Sequence, residues 1–440
     1  MRTTIRRGLA ALLIVTLAGT ALVGCQNGRA GARCRTKDFG QDATHVLVCK
    51  NGRWQRSITK QQAAAFIIAI IKARQTTTTT TPPNPFVTQI AAGFRHTCVL
   101  RSDGTVWCWG DNTTGQLGDA TTTQALAPVR VFGITTATQI TTGFRHTCAL
   151  LADNTIRCWG DNSSGQLGTG AITAPRLTPV QTLNITTATQ LGTSRDHTCA
   201  VLADRTIRCW GNNLSGELGN GGPSGLVATP VQTQGITTAT QITAGLQHTC
   251  ALLVDGSIRC WASNYRGRLG NGTNTSSSTP VQTLNITTAT QVVAGINHTC
   301  ALLADGTVRC WGDNEQGQIG DGSPADLLGR PTPVKTLGIT TATQLTAGSK
   351  HTCALLADRT ILCWGDNTQG QLGDNTTTNR PTPVQTQTIT AAVQLAAGYQ
   401  HTCALLADRT VRCWGSNTAG QLGDGTTTNR LTPVAVALPF

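Results

Sequence analysis

One constellation in the chain has the makings of chemistry, and it recurs seven times. A histidine stands two residues before a cysteine, and a second cysteine follows ten residues later, next to a tryptophan in every copy. The histidines are His96, His146, His197, His248, His298, His351 and His401. Imidazole beside thiol suggests an activated nucleophile or a metal held by nitrogen and sulfur. A catalytic pair is a singular arrangement, however, and this one is copied in every repeat. A metal reading would require seven identical sites, each lacking a fourth ligand. Features present in every copy read as architecture, so no catalytic residue, metal ligand or cofactor is assigned.

The cysteines are better read as disulfides. They pair as Cys98/Cys108, Cys148/Cys158, Cys199/Cys209, Cys250/Cys260, Cys300/Cys310, Cys353/Cys363 and Cys403/Cys413. If Cys98 opposes Cys108 in a hairpin, Leu100 opposes Val106 and Ser102-Asp103-Gly104 form the loop. Glycine then sits where φ is positive. Directly opposed antiparallel residues lie within disulfide range. The same register sets His96 opposite Gly110, with the imidazole over a residue lacking a side chain, and turns Trp109 to the other face. Aspartates at the hairpin tips, Asp103 among them, are local turn formers rather than calcium ligands. The Gly-Gln-Leu-Gly segment lacks the lysine of a phosphate-binding loop.

Those hairpins need a scaffold. The histidines recur every 50 or 51 residues, with one step of 53 that an insertion at 323–328 explains. Each unit holds about four short strands bounded by Gly, Asn and Pro. The composition agrees, with 48 Gly, one Met, two Tyr and 12% charged residues. A period near 50 with four strands predicts propeller blades, and seven close a ring. The expected fold is all-β, a seven-bladed propeller of four-stranded blades over 86–440. Pro433–Leu438 is expected to complete a blade with Phe86–Ala91 and fasten the ring.

The motif His-Thr-Cys-Ala-Leu…Cys-Trp-Gly-Asp-Asn-x-x-Gly-Gln-Leu-Gly, in seven in-phase copies over 89–440, resembles the regulator of chromosome condensation repeat family. The resemblance implies a seven-bladed propeller. The family's founding eukaryotic member is a nucleotide exchange factor on chromatin, many bacterial relatives are exported propellers, and similar propeller-type β-lactamase inhibitor proteins bind other proteins through one face.

The N-terminus addresses the protein. Arg2, Arg6 and Arg7 precede an apolar run, Leu9–Val23, that ends in Leu22-Val23-Gly24-Cys25. This reads as a lipoprotein signal peptide, 1–24, with Cys25 lipidated and the protein exported to the cell envelope. An uncleaved membrane anchor is the alternative. Gln26 points to the outer membrane or cell surface. Residues 25–75 read as a small basic region closed by Cys34 and Cys49. Val46–Cys49 is a strand, Lys50-Asn51-Gly52 a turn, Trp54 the return strand, and a short helix runs from a Thr59 cap to about Gln75. Residues 76–85 read as a Thr/Pro linker. Lipidation of Cys25 accounts for the odd one of the 17 cysteines.

The net charge of +13 is misleading as a nucleic-acid signal. Residues 1–75 hold 13 of the 34 Lys+Arg and two of the 21 acids, leaving +2 for 76–440. That argues against nucleic-acid binding by the propeller.

Function is expected where the copies differ. One variable pair precedes each histidine: Phe94-Arg95, Phe144-Arg145, Arg195-Asp196, Leu246-Gln247, Ile296-Asn297, Ser349-Lys350 and Tyr399-Gln400. A second fills the Asn-x-x-Gly loop and includes Tyr265-Arg266. In an up-and-down blade both loops emerge at one rim. The candidate partner-binding face is therefore Phe94, Arg95, Phe144, Arg145, Arg195, Leu246, Tyr265, Arg266 and Tyr399, aromatics and arginines being interface anchors. Packing of these aromatics around the channel is the alternative. The expected function is a non-catalytic, monomeric, surface-anchored module for a protein partner. Cell-wall polysaccharide or lectin-like binding is second, and nucleotide exchange, by resemblance only, third.

Overall fold

A computed structural model describes residues 26–27, 39–41, 45–50, 53–59, 84–324 and 326–439. The chain divides into two compact units, Met1–Pro83 and Asn84–Phe440.

The first unit carries one four-stranded sheet: β1 (Gln26–Asn27), β2 (Phe39–Gln41), β3 (His45–Lys50) and β4 (Arg53–Thr59). Cys49 pairs with Trp54 and Lys50 with Arg53, so the chain reverses where Asn51-Gly52 suggested. The expected hairpin is present as β3 and β4, within a four-stranded sheet, but the expected helix is corrected. Thr59 ends β4, paired with His45, and its backbone is committed to a strand rather than to a helix cap. Among the described residues no α-helix is present, and 60–75, where the helix was expected, lie outside them. Cys49 is disulfide-bonded. Cys25 and Cys34 lie outside the described residues.

The second unit is seven sheets of four consecutive strands, all antiparallel. In the first blade these are β5 (Val87–Ala92), β6 (His96–Arg101), β7 (Val106–Gly110) and β8 (Ala125–Arg130). Every residue of β6 is buried, because the sheet has a neighbour on each face. Cys98, Leu100 and Cys108 pack with Ile140, Ala149 and Trp159 of the second blade. Val99 and Trp109 pack with Leu405 and Cys413 of the seventh. The hairpin has the expected register: Cys98 opposes Cys108, Leu100 opposes Val106 and His96 opposes Gly110. Gly104 has φ +75°, and Asp103 Oδ1 accepts from the Thr105 amide and hydroxyl. The long repeat step reflects a longer final strand in the fifth blade, Asp326–Lys335, of 10 residues against 6 in the first.

All seven cross-strand disulfides are formed: Cys98–Cys108, Cys148–Cys158, Cys199–Cys209, Cys250–Cys260, Cys300–Cys310, Cys353–Cys363 and Cys403–Cys413. In five blades the structure differs from the expectation of a disulfide alone. There the second sulfur also meets a buried threonine hydroxyl just beyond the blade's last strand, at 3.4–3.6 Å. The contacts are Cys158 with Thr182, Cys209 with Thr233, Cys260 with Thr283, Cys310 with Thr336 and Cys363 with Thr386. A disulfide sulfur has no proton to give, so it can only accept. The hydroxyl directs its proton mainly to a carbonyl, Thr182 to Leu167 and Thr233 to Leu218 among them, at 3.0 Å and 2.9 Å. The sulfur is therefore a weak second acceptor beside a polar group, rather than purely apolar filling. Cys108 and Cys413 lack this contact because Val131 and Val436 stand where the other blades have threonine. Spacing within the hairpin could not reveal it, since the threonine lies 23 to 26 residues further on.

Ring closure is not by a shared blade. The last strand, Arg430–Ala435, pairs within the seventh blade, and β5 pairs only with β6 in its sheet. Each repeat already holds four strands, so none is left to exchange. The seventh-to-first seam is instead the same as the other six. At each seam the histidine Nε2 meets a threonine hydroxyl of the next blade at 2.8–2.9 Å; His96 meets Thr147 and, across the closure, His401 meets Thr97. The same hydroxyl donates to a carbonyl of its preceding blade, Thr147 to Gln116 and Thr97 to Gln421. A hydroxyl has one proton to give, so the imidazole must be the donor at Nε2. The tryptophan indole donates to that carbonyl as well, at 2.8–2.9 Å in all seven seams.

A further stitch comes from Gln89, Gln139, Gln190, Gln241, Gln291, Gln344 and Gln394, one on each inner strand. Each amide oxygen accepts a backbone N–H of the next blade at 2.7–3.0 Å. Gln89, Gln190, Gln291 and Gln344 also donate to the carbonyl of the same residue. The side-chain amide thus acts as a peptide group between strands splayed too far apart to pair directly.

Candidate functional site

The two variable loops share a rim in all seven blades, because a backbone hydrogen bond joins them. Asp111 N–H donates to Arg95 C=O, and the equivalent bonds recur through Ser416 N–H to Gln400 C=O, at 2.8–3.0 Å. In six blades the pair is preceded by a glycine against which the imidazole packs. A Cβ on Gly93 would lie 2.5 Å from His96 Cε1. This corrects the expectation for Gly110. Its φ is +104°, and a Cβ there would meet Arg95 O and His96 Cα rather than the ring. In the third blade Ser194 replaces the glycine and its hydroxyl lies 2.6 Å from His197 Nδ1. The other six Nδ1 atoms have no hydrogen-bond partner.

The first residue of each pair faces the centre of the ring. Phe94, Phe144, Arg195, Leu246, Ile296, Ser349 and Tyr399 line the mouth of a central cavity of about 350 Å³. Below them the wall is uncharged, mostly Gln, Thr, Ala and Gly, with the glutamine amides committed to the seams. Three aromatics from the seventh, first and second blades form one cluster. The Phe94 and Phe144 rings stack at 3.6 Å between centroids, and Tyr399 meets Phe94 edge-on at 4.4 Å. All three remain half-buried.

Three guanidinium groups lie against this cluster. Arg95 sits 5.4 Å from the Phe94 centroid, while Arg145 and Arg195 sit 5.7 Å and 5.2 Å from that of Phe144. All three arginines are exposed. Arg195 also pairs with Asp196 at 3.2 Å. Burial raises the Asp196 pKa, and the Arg195 guanidinium opposes that rise.

Tyr265 and Arg266 belong to another neighbourhood. Five repeats have a glutamine in the Gly-Gln-Leu-Gly segment, whose side chain accepts a loop N–H, as Gln116 does from Thr114. The fourth blade has Arg268 there, which is only a donor. The loop becomes a 3-10 turn, Tyr265–Gly267, with Arg266 at φ +60° and Tyr265 exposed. Arg266 reaches Asp313 and Glu315 of the fifth blade, and Glu315 pairs with Lys350 of the sixth at 3.1 Å. The third blade has Glu217 at the same position. It is buried, its pKa is raised by that burial, and its Oε2 accepts from Ser215 N–H. The structure therefore gathers Phe94, Arg95, Phe144, Arg145, Arg195 and Tyr399 into one arc with Leu246 on the same mouth. It sets Tyr265 and Arg266 in a separate charged network. Glu217 and Arg268 escaped the sequence reading, although aligning the seven copies exposes them. Among the described residues no cluster of three or more His, Cys, Asp or Glu is arranged to hold a metal.

Comparison with known families matches the Regulator of chromosome condensation (RCC1) repeat at 87–116, 137–166, 188–217 and 103–150, and the RCC1-like domain at 224–439. Human probable E3 ubiquitin-protein ligase HERC3 is 41% identical over 191 residues, 42% of this chain and 18% of its own length. The chain thus spans under a fifth of that relative. Among solved structures, Prp20p from Saccharomyces cerevisiae, described with its binding properties to Gsp1p and histones, superposes with a TM-score of 0.67 at 17% identity over 81% of this chain and 88% of that one. Human WBSCR16 gives 0.67 at 20% identity over 76% and 95%. At these identities the superpositions speak to the fold alone. With matched segments at 87–166, 188–217 and 224–439, the chain belongs to the regulator of chromosome condensation repeat family.

Proposed function

We propose that this chain is a non-catalytic binding propeller, exported and held at the cell envelope through a lipidated Cys25, which takes a protein partner on the rim around Phe94 and Phe144. The observation that carries the reading is the placement of three exposed guanidinium groups against an aromatic cluster on one arc of the rim. Rigid aromatic area with arginine at its edge is the composition of interface hot spots. Prp20p, of the same fold, is a propeller described for its binding to proteins.

The test is co-purification with the full chain from the producer's envelope, beside a variant carrying Arg95→Gln, Arg145→Gln and Arg195→Gln. A protein retained by the parent and lost by the folded variant supports the arc as the partner surface. Identical retention by both overturns it. Retention of cell-wall polysaccharide by both points to the glycan reading. Export and anchoring are tested separately: a labelled fatty acid is expected on the parent and absent from Cys25→Ser.

A further inference from the structure

We infer that the arc recognises an acidic peptide segment carrying one apolar side chain, with carboxylates on Arg95 and Arg145 and the apolar group seated in the channel mouth. This deepens the binding reading above and rests on it.

Arg95 and Arg145 are exposed, and among the described residues no ion pair or side-chain hydrogen bond engages either guanidinium. Elsewhere on the rim the cations are answered from within: Arg266 by Asp313 and Glu315, and Lys350 by Glu315. A guanidinium attracted to a ring at this distance keeps N–H groups available, and a planar guanidinium can take a carboxylate bidentately.

The neighbouring surface adds to this: Phe94, Tyr399, Leu246 and Ile296 line the mouth of a cavity of about 350 Å³, with Arg195 beside them. These mouth residues suit an apolar side chain, while the uncharged Gln, Thr and Gly wall below is largely polar. The acids of the rim discriminate among anions. Asp111, Asp161 and Asp196 lie on the same rim, partly exposed. They repel a continuous polyanion such as a nucleic acid or a sulphated glycan but leave room for one or two carboxylates placed between them.

The experiment is a fluorescence-anisotropy titration of the full chain with a dye-labelled seven-residue peptide of Asp and Glu around one central Phe. Saturable binding is expected, weakened about tenfold by Arg95→Gln or by Arg145→Gln, the loss of one charge-assisted pair. It is also expected to weaken about tenfold when the central Phe of the peptide becomes Ala. Lys350→Ala is expected to leave it unchanged, and a peptide with Lys in place of the acids is expected not to bind. Absence of saturable binding, retention of affinity by both arginine variants at an unchanged melting temperature, or equal binding of the Lys peptide each overturns the inference. So does displacement by heparin with the same arginine dependence, which would make the site a polyanion site. If the peptides fail while co-purification still depends on the arc, the chemistry is wrong and the surface stands. If co-purification is indifferent to the arc, the surface itself falls.

Discussion

Seams and rim treat the same seven repeats in opposite ways. At the seams His96 and its six counterparts make the same bond at the same length, and so do the seven tryptophans. One polar network is solved once and copied around the ring. On the rim the residue following each of the seven glycine positions is Phe, Phe, Arg, Leu, Ile, Ser or Tyr. The rim itself is divided. Near Phe94 and Phe144, Arg95 and Arg145 form no ion pair among the described residues although Asp111, Asp161 and Asp196 share the rim, whereas Arg266, Asp313, Glu315 and Lys350 are paired among themselves. Repetition marks what holds the ring, and departure from repetition marks either a local change of loop conformation, as at Arg268, or a surface whose cations carry no ion pair, as at Arg95.

The comparison breaks if the seams do not dominate stability, and acid is the strongest probe of that. Burial pulls the imidazole pKa down to about 3 for His96, His197, His351 and His401, and to about 4 for His146 and His298. His248 also lies well below its ordinary value, through burial and then the nearby Arg268. Asp161 beside His146 and Asp313 beside His298 oppose the shift. A folded-state pKa below the unfolded one means that protons bind the unfolded chain first. Stability is therefore complete above about pH 6.5 and falls as pH drops towards 4, by about 1.4 kcal/mol per pH unit for each imidazole. Denaturant midpoints between pH 7.5 and 5 should fall steeply, with uptake approaching seven protons on unfolding; a flat profile would refute the role of the seams.

A smaller effect is expected from Gln291→Ala. It strands the Leu345 N–H and C=O that the amide now joins, so a loss of about 1–3 kcal/mol should appear as a lower melting temperature. On the rim the expectation reverses. Arg95→Gln and Arg145→Gln should stay within about 0.5 kcal/mol of the parent in stability while reducing acidic-peptide affinity about tenfold. The smallest effect is expected from Lys350→Ala. Its partly exposed pair with Glu315 contributes about 0–1 kcal/mol, read from thermal unfolding at low and high salt, with peptide binding unchanged.

Much of this was legible in the chain. The Cys98–Cys108 register follows from ten-residue spacing around a turn-forming Asp-Gly, and the strand count follows from the period. Other features were not. Thr59 looked like a helix cap, because a threonine followed by Gln62 fits that pattern equally well whether or not a strand claims it. Pro433–Leu438 looked like a closing strand, because sequence order does not say whether a ring is fastened by exchange or by contact. The threonines beside Cys158, Cys209, Cys260, Cys310 and Cys363 carried no signal, because only the folded blade brings them back over the disulfide. The inner-strand glutamines were overlooked, since an amide that serves as a backbone substitute differs from a solvent-facing glutamine only in where its neighbour stands.

The sequence by itself determined the blade: four strands, a cross-strand disulfide, a capped hairpin and a buried tryptophan, all set by residues within about one repeat of one another. A ring closed from seven repeats already places the first, second and seventh blades side by side and so implies the arc. Only the tertiary structure decided the seams and the ring contacts within the arc. A histidine and a threonine 51 residues apart, or 304 apart at the closure, become partners only once the ring is formed. Phe94, Phe144 and Tyr399 likewise become one surface only because closure brings the seventh blade beside the first.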